Sequence, residues 1–225
     1  MGNRQLKKKI LALLKNEAFE KSLEEICKMP ARQAVNPLFS FFYNSDEMIN
    51  WRAVTAMGAV VARLAHESLE SARIVMRRLM WNLNDESGGI GWGSPEAMGE
   101  IMARQDRLAE EYAGILVSYI NEKGNFLEHG MLQRGVLWGL GRLAHTRPEL
   151  VQDAAVHLLS FMRSEDAVHR GLAAWVAGAI PSKITQPLLK HLITDETIIK
   201  IFINMKMMES TVGQLAADAL ARTTH

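Results

Sequence analysis

The chain has 225 residues, 48% of them hydrophobic, which is enough to bury a sizeable core and too many for a disordered chain. Its 26 Lys and Arg against 25 Asp and Glu leave a formal net charge of +1, so no global field exists to hold a polyanion such as nucleic acid. A single cysteine, Cys27, excludes an intramolecular disulfide and every CxxC-type zinc or redox motif, and points to a reducing compartment.

The first segment, MGNRQLKKKILALLKNEAFEKSL, places Lys7, Lys8 and Lys9 before a short apolar run that Lys15 interrupts. That run is too short for a signal-peptide core, and the pattern predicts an amphipathic N-terminal helix over 3–28. No stretch approaches the roughly 20 uninterrupted apolar residues of a membrane span, so a cytoplasmic chain is expected.

Further along, glycine follows an apolar residue at Gly58, Gly99, Gly141, Gly178 and Gly213, at intervals of 41, 42, 37 and 35 residues. The flanks agree: WRAVTAM precedes Gly58, RGVLWGL precedes Gly141 and RGLAAWVA precedes Gly178, each opening at an arginine (Arg52, Arg134, Arg170). Ile49, Ala53, Ala56, Met57 and Val60 make one apolar stripe at helical spacing. Leu108, Tyr112, Ile115, Leu116 and Tyr119 make another, as do Val151, Ala155, Leu158, Leu159 and Met162. The connecting segments VNPLFSFFYNSDEMINWR (35–52) and TQPLLKHLITDETIIK (185–200) are alike, so Pro37 and Pro187 are expected to open a helix and Asp46 and Asp195 to close it. Strand signals are absent. Helical hairpins repeating every 40 residues or so bury their stripes only against one another, which predicts an α-solenoid of about ten helices.

This order of PLL-type helix, Asp-containing turn, arginine, small-residue run and Leu-Gly resembles the HEAT repeat. The short Ala- and Gly-rich helices are most similar to the subgroup found in phycobilin lyases. The resemblance covers about residues 30–222, some five units, and the third, EAMGEIMARQDRLAEEYAGILVSYI, departs most because it lacks the leading arginine. It implies an all-α, right-handed α-α superhelix of ARM/HEAT type with about five helical hairpins, forming a single repeat domain over 1–225. It implies a fold more than an activity.

One stretch stands apart from the repeats. Residues 84–95, NDESGGIGWGSP, interpose about a dozen residues where a helix connection usually takes 2–8. Asn84, Gly88 and Gly89 serve to end one helix, and Ser94 with Pro95 to cap and start the next. A mere stop needs one glycine, whereas Gly88, Gly89, Gly91 and Gly93 flank Ile90 and Trp92 almost alternately, a composition that lets backbone approach a ligand. Asp85 and Glu86 precede the glycines. Glu96 and Glu100 lie four apart on one helix face, where like charges disfavour each other unless a cation, an arginine or a ligand intervenes. Arg77, Arg78 and Arg104 are the internal partners available.

Other residues read as structural. The seven histidines form no HExxH or other tight metal-ligand spacing, so no metal site is expected. Trp138 and Trp175, each three residues before a repeat glycine, are expected to pack between units. Cys27 follows acids and makes a poor nucleophile.

Two functional readings follow. The first is a non-catalytic scaffold that binds another protein or a peptide on its concave face or at the Gly-rich loop, without a cofactor. Its recognition residues would be Glu86, Trp92, Glu96 and Glu100, supported by Trp81 and Arg78. The second, implied by the resemblance, is a chromophore- or ligand-handling enzyme akin to phycobilin lyases, or a HEAT-like DNA glycosylase, to which the near-zero net charge is unsuited.

Overall fold

The computed structural model describes residues 2–84 and 91–223. Among them are twelve α-helices, one turn of 3-10 helix and one antiparallel hairpin. The chain divides into two compact units, Met1–Leu108 and Ala109–His225.

The first unit holds α1 (Asn3–Lys15), α2 (Phe19–Lys28), α3 (Ala31–Phe41), α4 (Glu47–Glu67), α5 (Leu69–Leu83) and α6 (Ser94–Arg104). At 21 residues α4 is the longest helix, and α1, α2, α3, α5 and α6 all pack on it. Its buried residues, among them Ala53, Val54, Ala56, Met57, Val60 and Val61, run around most of its circumference, because neighbours approach from several sides. Asp46 starts this helix rather than closing α3: its carboxylate accepts the N–H groups of Met48 and Ile49. The N-terminal helix expected over 3–28 is two helices. Asn16 turns extended after α1, and its side chain accepts the N–H of Ala18, which fixes a corner. Pro37 lies inside α3 instead of opening it. Ala31, Ala34 and Val35 are buried upstream, and their packing carries the helix through the one backbone bond that the proline cannot make.

The boundary falls within α7 (Asp106–Ser118). The second unit continues with α8 (Gly130–Ala144), a 3-10 turn at Pro148–Leu150, α9 (Ala154–Met162), α10 (Ala167–Ala177), α11 (Gln186–Leu192), β1 (Ile198–Ile203), β2 (Lys206–Thr211) and α12 (Val212–Thr223). Here α10 is the hub, packed on α8, α9, α12 and β1.

The hairpin corrects the expectation that strands are absent. Asn204 and Met205 both take positive φ, 50° and 61°, making a two-residue turn that sets Ile203 opposite Lys206. Burial alternates over the first four residues of IIKIFI, where Ile199 and Ile201 face inward while Ile198 and Lys200 face solvent, although only Lys200 is polar. The hairpin is an insertion in the repeat pattern. Val212 donates to the carbonyl of Thr197 and Gly213 to that of Asp195, so the chain returns to its starting point before α12 begins. Trp138 anchors it: the buried indole N–H donates to the carbonyl of Phe202 at 2.8 Å.

The repeat glycines mark helix crossings. A Cβ on Gly58 would collide with the Glu100 side chain on α6, and one on Gly141 with the Trp175 ring on α10. One on Gly178 would sit 3.0 Å from Cα of Ala219 on α12. Trp138 is 4% exposed, whereas Trp175 is only partly covered and stacks on His145 with ring centroids 4.9 Å apart. The leading arginines tie successive turns together. Arg134 donates to Asp166, the N-cap of α10, and Arg170 donates to Asp195, both at 2.8 Å. In the first unit Arg52 donates instead to the carbonyls of Leu14 and Asn16 at the end of α1.

Two glycines test the crossings. Gly141→Ala is expected to destabilise the fold by about 1–3 kcal/mol, because the added methyl overpacks against Trp175. Gly114→Ala, on α7 with open space around the added Cβ, is expected to stabilise it by about 0.5–1 kcal/mol. Thermal melts of the two variants should move in opposite directions, and a common direction contradicts this account of the glycines.

Candidate functional site

The corner between α5 and α6 in the first unit gathers most of the residues singled out above. Ser68 caps α5 by accepting the N–H of Ser71, and Ala72, Val75, Met76, Leu79 and Leu83 form its buried stripe. The opposite stripe is Ile74, Arg78 and Trp81, spaced four and three residues apart, so these face solvent together, with Trp81 75% exposed. Arg78 is held in place: its guanidinium lies 4.0 Å from the Phe39 ring centroid and donates to Oδ1 of Asn36 at 2.5 Å.

Asp85, Glu86, Gly88, Gly89 and Ile90 lie outside the described residues. Description resumes at Gly91, and Gly93 adopts φ 75° as the N-cap of α6, one residue before the expected Ser94. That left-handed backbone sits against Phe42, where a Cβ would come within 2.7 Å of the ring. Ser94 is instead the first helical residue, fully buried, and its hydroxyl accepts a bond from Asn82 that ties α5 to α6. Trp92 is 44% exposed beside this junction.

Tyr43, next to the buried Phe42, is equally exposed. Burial pushes its phenol up, while the charge of Arg78 pulls it down, which places Tyr43 at the same corner. The sequence reading missed Tyr43 because it ends an aromatic run, FFY, in which Phe41 and Phe42 are core.

The two acids of α6 part company. Glu100 is 3% exposed, lies under Gly58 and accepts both Nε (2.8 Å) and Nη2 (2.6 Å) of Arg104. It is a packing residue with its own cation. Glu96 is partly covered, and its Oε2 is shut from solvent with no hydrogen-bond partner among the described residues. Desolvation pushes its carboxyl from 4.5 to about 7, against a smaller opposing pull from its own backbone N–H. Among the described residues the two acids thus share no cationic side chain. The repulsion is relieved by pairing one acid and drawing the other toward neutrality.

Elsewhere, burial pushes the Cys27 thiol up despite the pull of Arg63 and Arg104. Among the described residues no three His, Cys, Asp or Glu side chains gather as a metal-ligand set. No described helix is long and apolar enough to cross a membrane.

No family model matches the chain. A protein of Archaeoglobus fulgidus known only as uncharacterised is 29% identical over 143 residues, covering 64% of this chain and 69% of its own. Among solved structures, an engineered protein superposes with a TM-score of 0.57 at 16% identity, over 100% of this chain and 97% of that one. A designed armadillo repeat protein, solved in complex with the peptide (KR)4, superposes with a TM-score of 0.55 at 15% identity, over 95% and 98%. The fold is a helical-repeat fold of the armadillo kind, with one β-hairpin inserted. At these identities the likeness is one of fold.

The unpaired acid on α6 makes stability depend on pH. A carboxyl whose folded value is raised binds its proton more tightly folded than unfolded, so its stabilising contribution is full below about pH 4.5 and is lost as pH rises toward 7. Glu96→Gln, neutral at every pH, is expected to melt with the wild type near pH 4.5 and to be more stable at pH 8, by on the order of 1 kcal/mol after allowance for partial exposure. Melts at the two pH values check the sign.

Proposed function

We propose that this chain is a non-catalytic interaction module that grips a segment of another protein at the α5 to α6 corner. The observation that carries the reading is the exposure of two large aromatic side chains at the ends of the helices that meet there. Trp81 and Trp92 lie next in sequence to Asn82 and near Ser94, whose side chains are bonded, while Arg78, one turn before Trp81, is held on the Phe39 ring. Tryptophan and arginine dominate binding energy at protein interfaces because they bury much area at little entropic cost. Exposed aromatics grouped around locked backbone suit an anchor site better than a solvated face. Glu96 and Glu100 act behind this surface, one held by Arg104 and the other under-solvated, so they set how α6 presents Trp92.

The occupant proposed is a peptide segment or a folded partner's edge rather than a polyanion, in keeping with the net charge of +1. The peptide bound by the designed armadillo protein supports this kind of partner. A cytoplasmic setting is in keeping with the lone cysteine.

Capture from cell extract on the immobilised wild type, followed by mass spectrometry, tests the reading against the double variant Trp81→Ala, Trp92→Ala. The variant is expected to lose the captured protein while its stability moves by no more than about 0.5 kcal/mol, as for surface substitutions generally. Undiminished capture by the variant would remove the corner from the proposal.

A further inference from the structure

The second unit contains a cavity of about 400 Å³ between the end of α9, the start of α10 and α11, open to solvent on one side. Its volume lies at the small end of ligand pockets, which run to roughly 300–1,000 Å³. The floor is apolar, made by Met162, Leu188 and Leu192, of which Met162 and Leu192 are buried.

The charges around it are unequal in their commitments. The charge of Arg170 is paired: Nε and Nη2 are bound to Asp195, and Nη1 donates to the carbonyls of Ser164 and Glu165. Asp195 is spent in turn, since its other oxygen accepts the N–H of Thr197. Burial pushes the Asp195 carboxyl up, but the bonds from Thr197 and Arg170 outweigh it and hold the group ionised. This pair therefore adds a polar wall with no net charge. Arg163 is different. It lines the cavity from the end of α9, is exposed, and its guanidinium has no ion pair or hydrogen bond among the described residues. The His191 ring, also on the rim, offers a second donor.

We infer that this cavity receives the carboxy-terminal residue of a peptide, with an aliphatic side chain on Met162, Leu188 and Leu192 and the terminal carboxylate on Arg163 and His191. One uncommitted arginine matches one negative charge, and a planar guanidinium takes a carboxylate through two parallel bonds. A phosphate dianion would bring a second charge toward Asp195 and leave the apolar floor uncovered. The open side lets the rest of the peptide leave. This site stands apart from the α5 to α6 corner and does not depend on it.

The experiment is a methyl NMR titration of the full chain with ¹³C-methyl methionine, the Met162 resonance being assigned by its absence in Met162→Leu. The probes are N-acetyl-Ala-Leu as the free acid and the same dipeptide as its carboxamide. The acid is expected to shift the Met162 signal saturably, and the amide to bind at least about tenfold more weakly, the loss expected when a charge-assisted bond is removed. Arg163→Gln should weaken the acid by a similar factor, and because Arg163 is exposed the variant is expected to keep its fold. Trp81→Ala should leave the titration unchanged. No Met162 shift with the acid, equal affinity for the amide, or undiminished binding by Arg163→Gln would each overturn the assignment.

Discussion

Where α6 crosses α4, the side chain of Glu100 occupies the space that a Cβ at position 58 would need. The same exclusion holds where α10 crosses α8, with the Trp175 ring over Gly141. Dense packing needs complementary surfaces, and a helix with no side chain at the crossing lets its neighbour approach closely enough to cover the flanking small residues. Much else follows from that closeness. Ala53, Ala56 and Met57 on α4 are completely buried, and Glu100, brought under the glycine, is screened from water and takes Arg104 as its partner. An unpaired carboxylate there would be costly, so the arginine four residues on is part of the crossing and not an ornament of the surface.

The arginine at the head of each glycine helix does a second job. In the second unit it reaches forward to the aspartate that opens the following turn, linking Arg134 to Asp166 and Arg170 to Asp195. Asp166 also caps α10, so one carboxylate satisfies an orphan helix N–H and fixes the register of two helices. The link at Asp195 survives a hairpin, Ile198–Thr211, inserted just beyond it, because the strands return the chain to Asp195 through the N–H of Gly213. Insertions of this kind are tolerated where their ends already meet. The hairpin then gives Trp138 a carbonyl to bond, and a buried indole N–H left without one would have destabilised the core.

The α5 to α6 corner departs from this regularity for local reasons. A left-handed Gly93 against Phe42 turns the chain sharply enough to bury Ser94 and Pro95 and leave Trp92 outside. Trp81 is outside because the buried stripe of α5 lies on the other face of that helix. The Asn82 to Ser94 bond and the Gly93 turn thus fix the start of α6 while Trp81 and Trp92 stay exposed.

The sequence by itself determined the repeat. The glycine intervals, the arginines ahead of them and the apolar stripes were enough to specify stacked helical hairpins, since those stripes have nothing else to pack on. The sequence also singled out Trp92 from its glycine-rich setting and Trp81 from its neighbourhood, and both side chains are exposed. Only the tertiary structure decided the rest. Pro37 reads as a helix start until the packing of Ala31 and Ala34 on neighbouring helices carries α3 through it. The segment 185–200 resembles 35–52, yet from Ile198 its apolar run forms a strand that pairs with a second strand across the turn. Glu96 and Glu100 look equivalent in sequence, four residues apart. One faces Gly58 and Arg104 while the other has an oxygen sealed from solvent with no hydrogen-bond partner among the described residues. Local pattern reports which face of a helix is apolar. The fate of a charge depends on which neighbouring helix covers it, and that is a long-range fact no window of sequence contains.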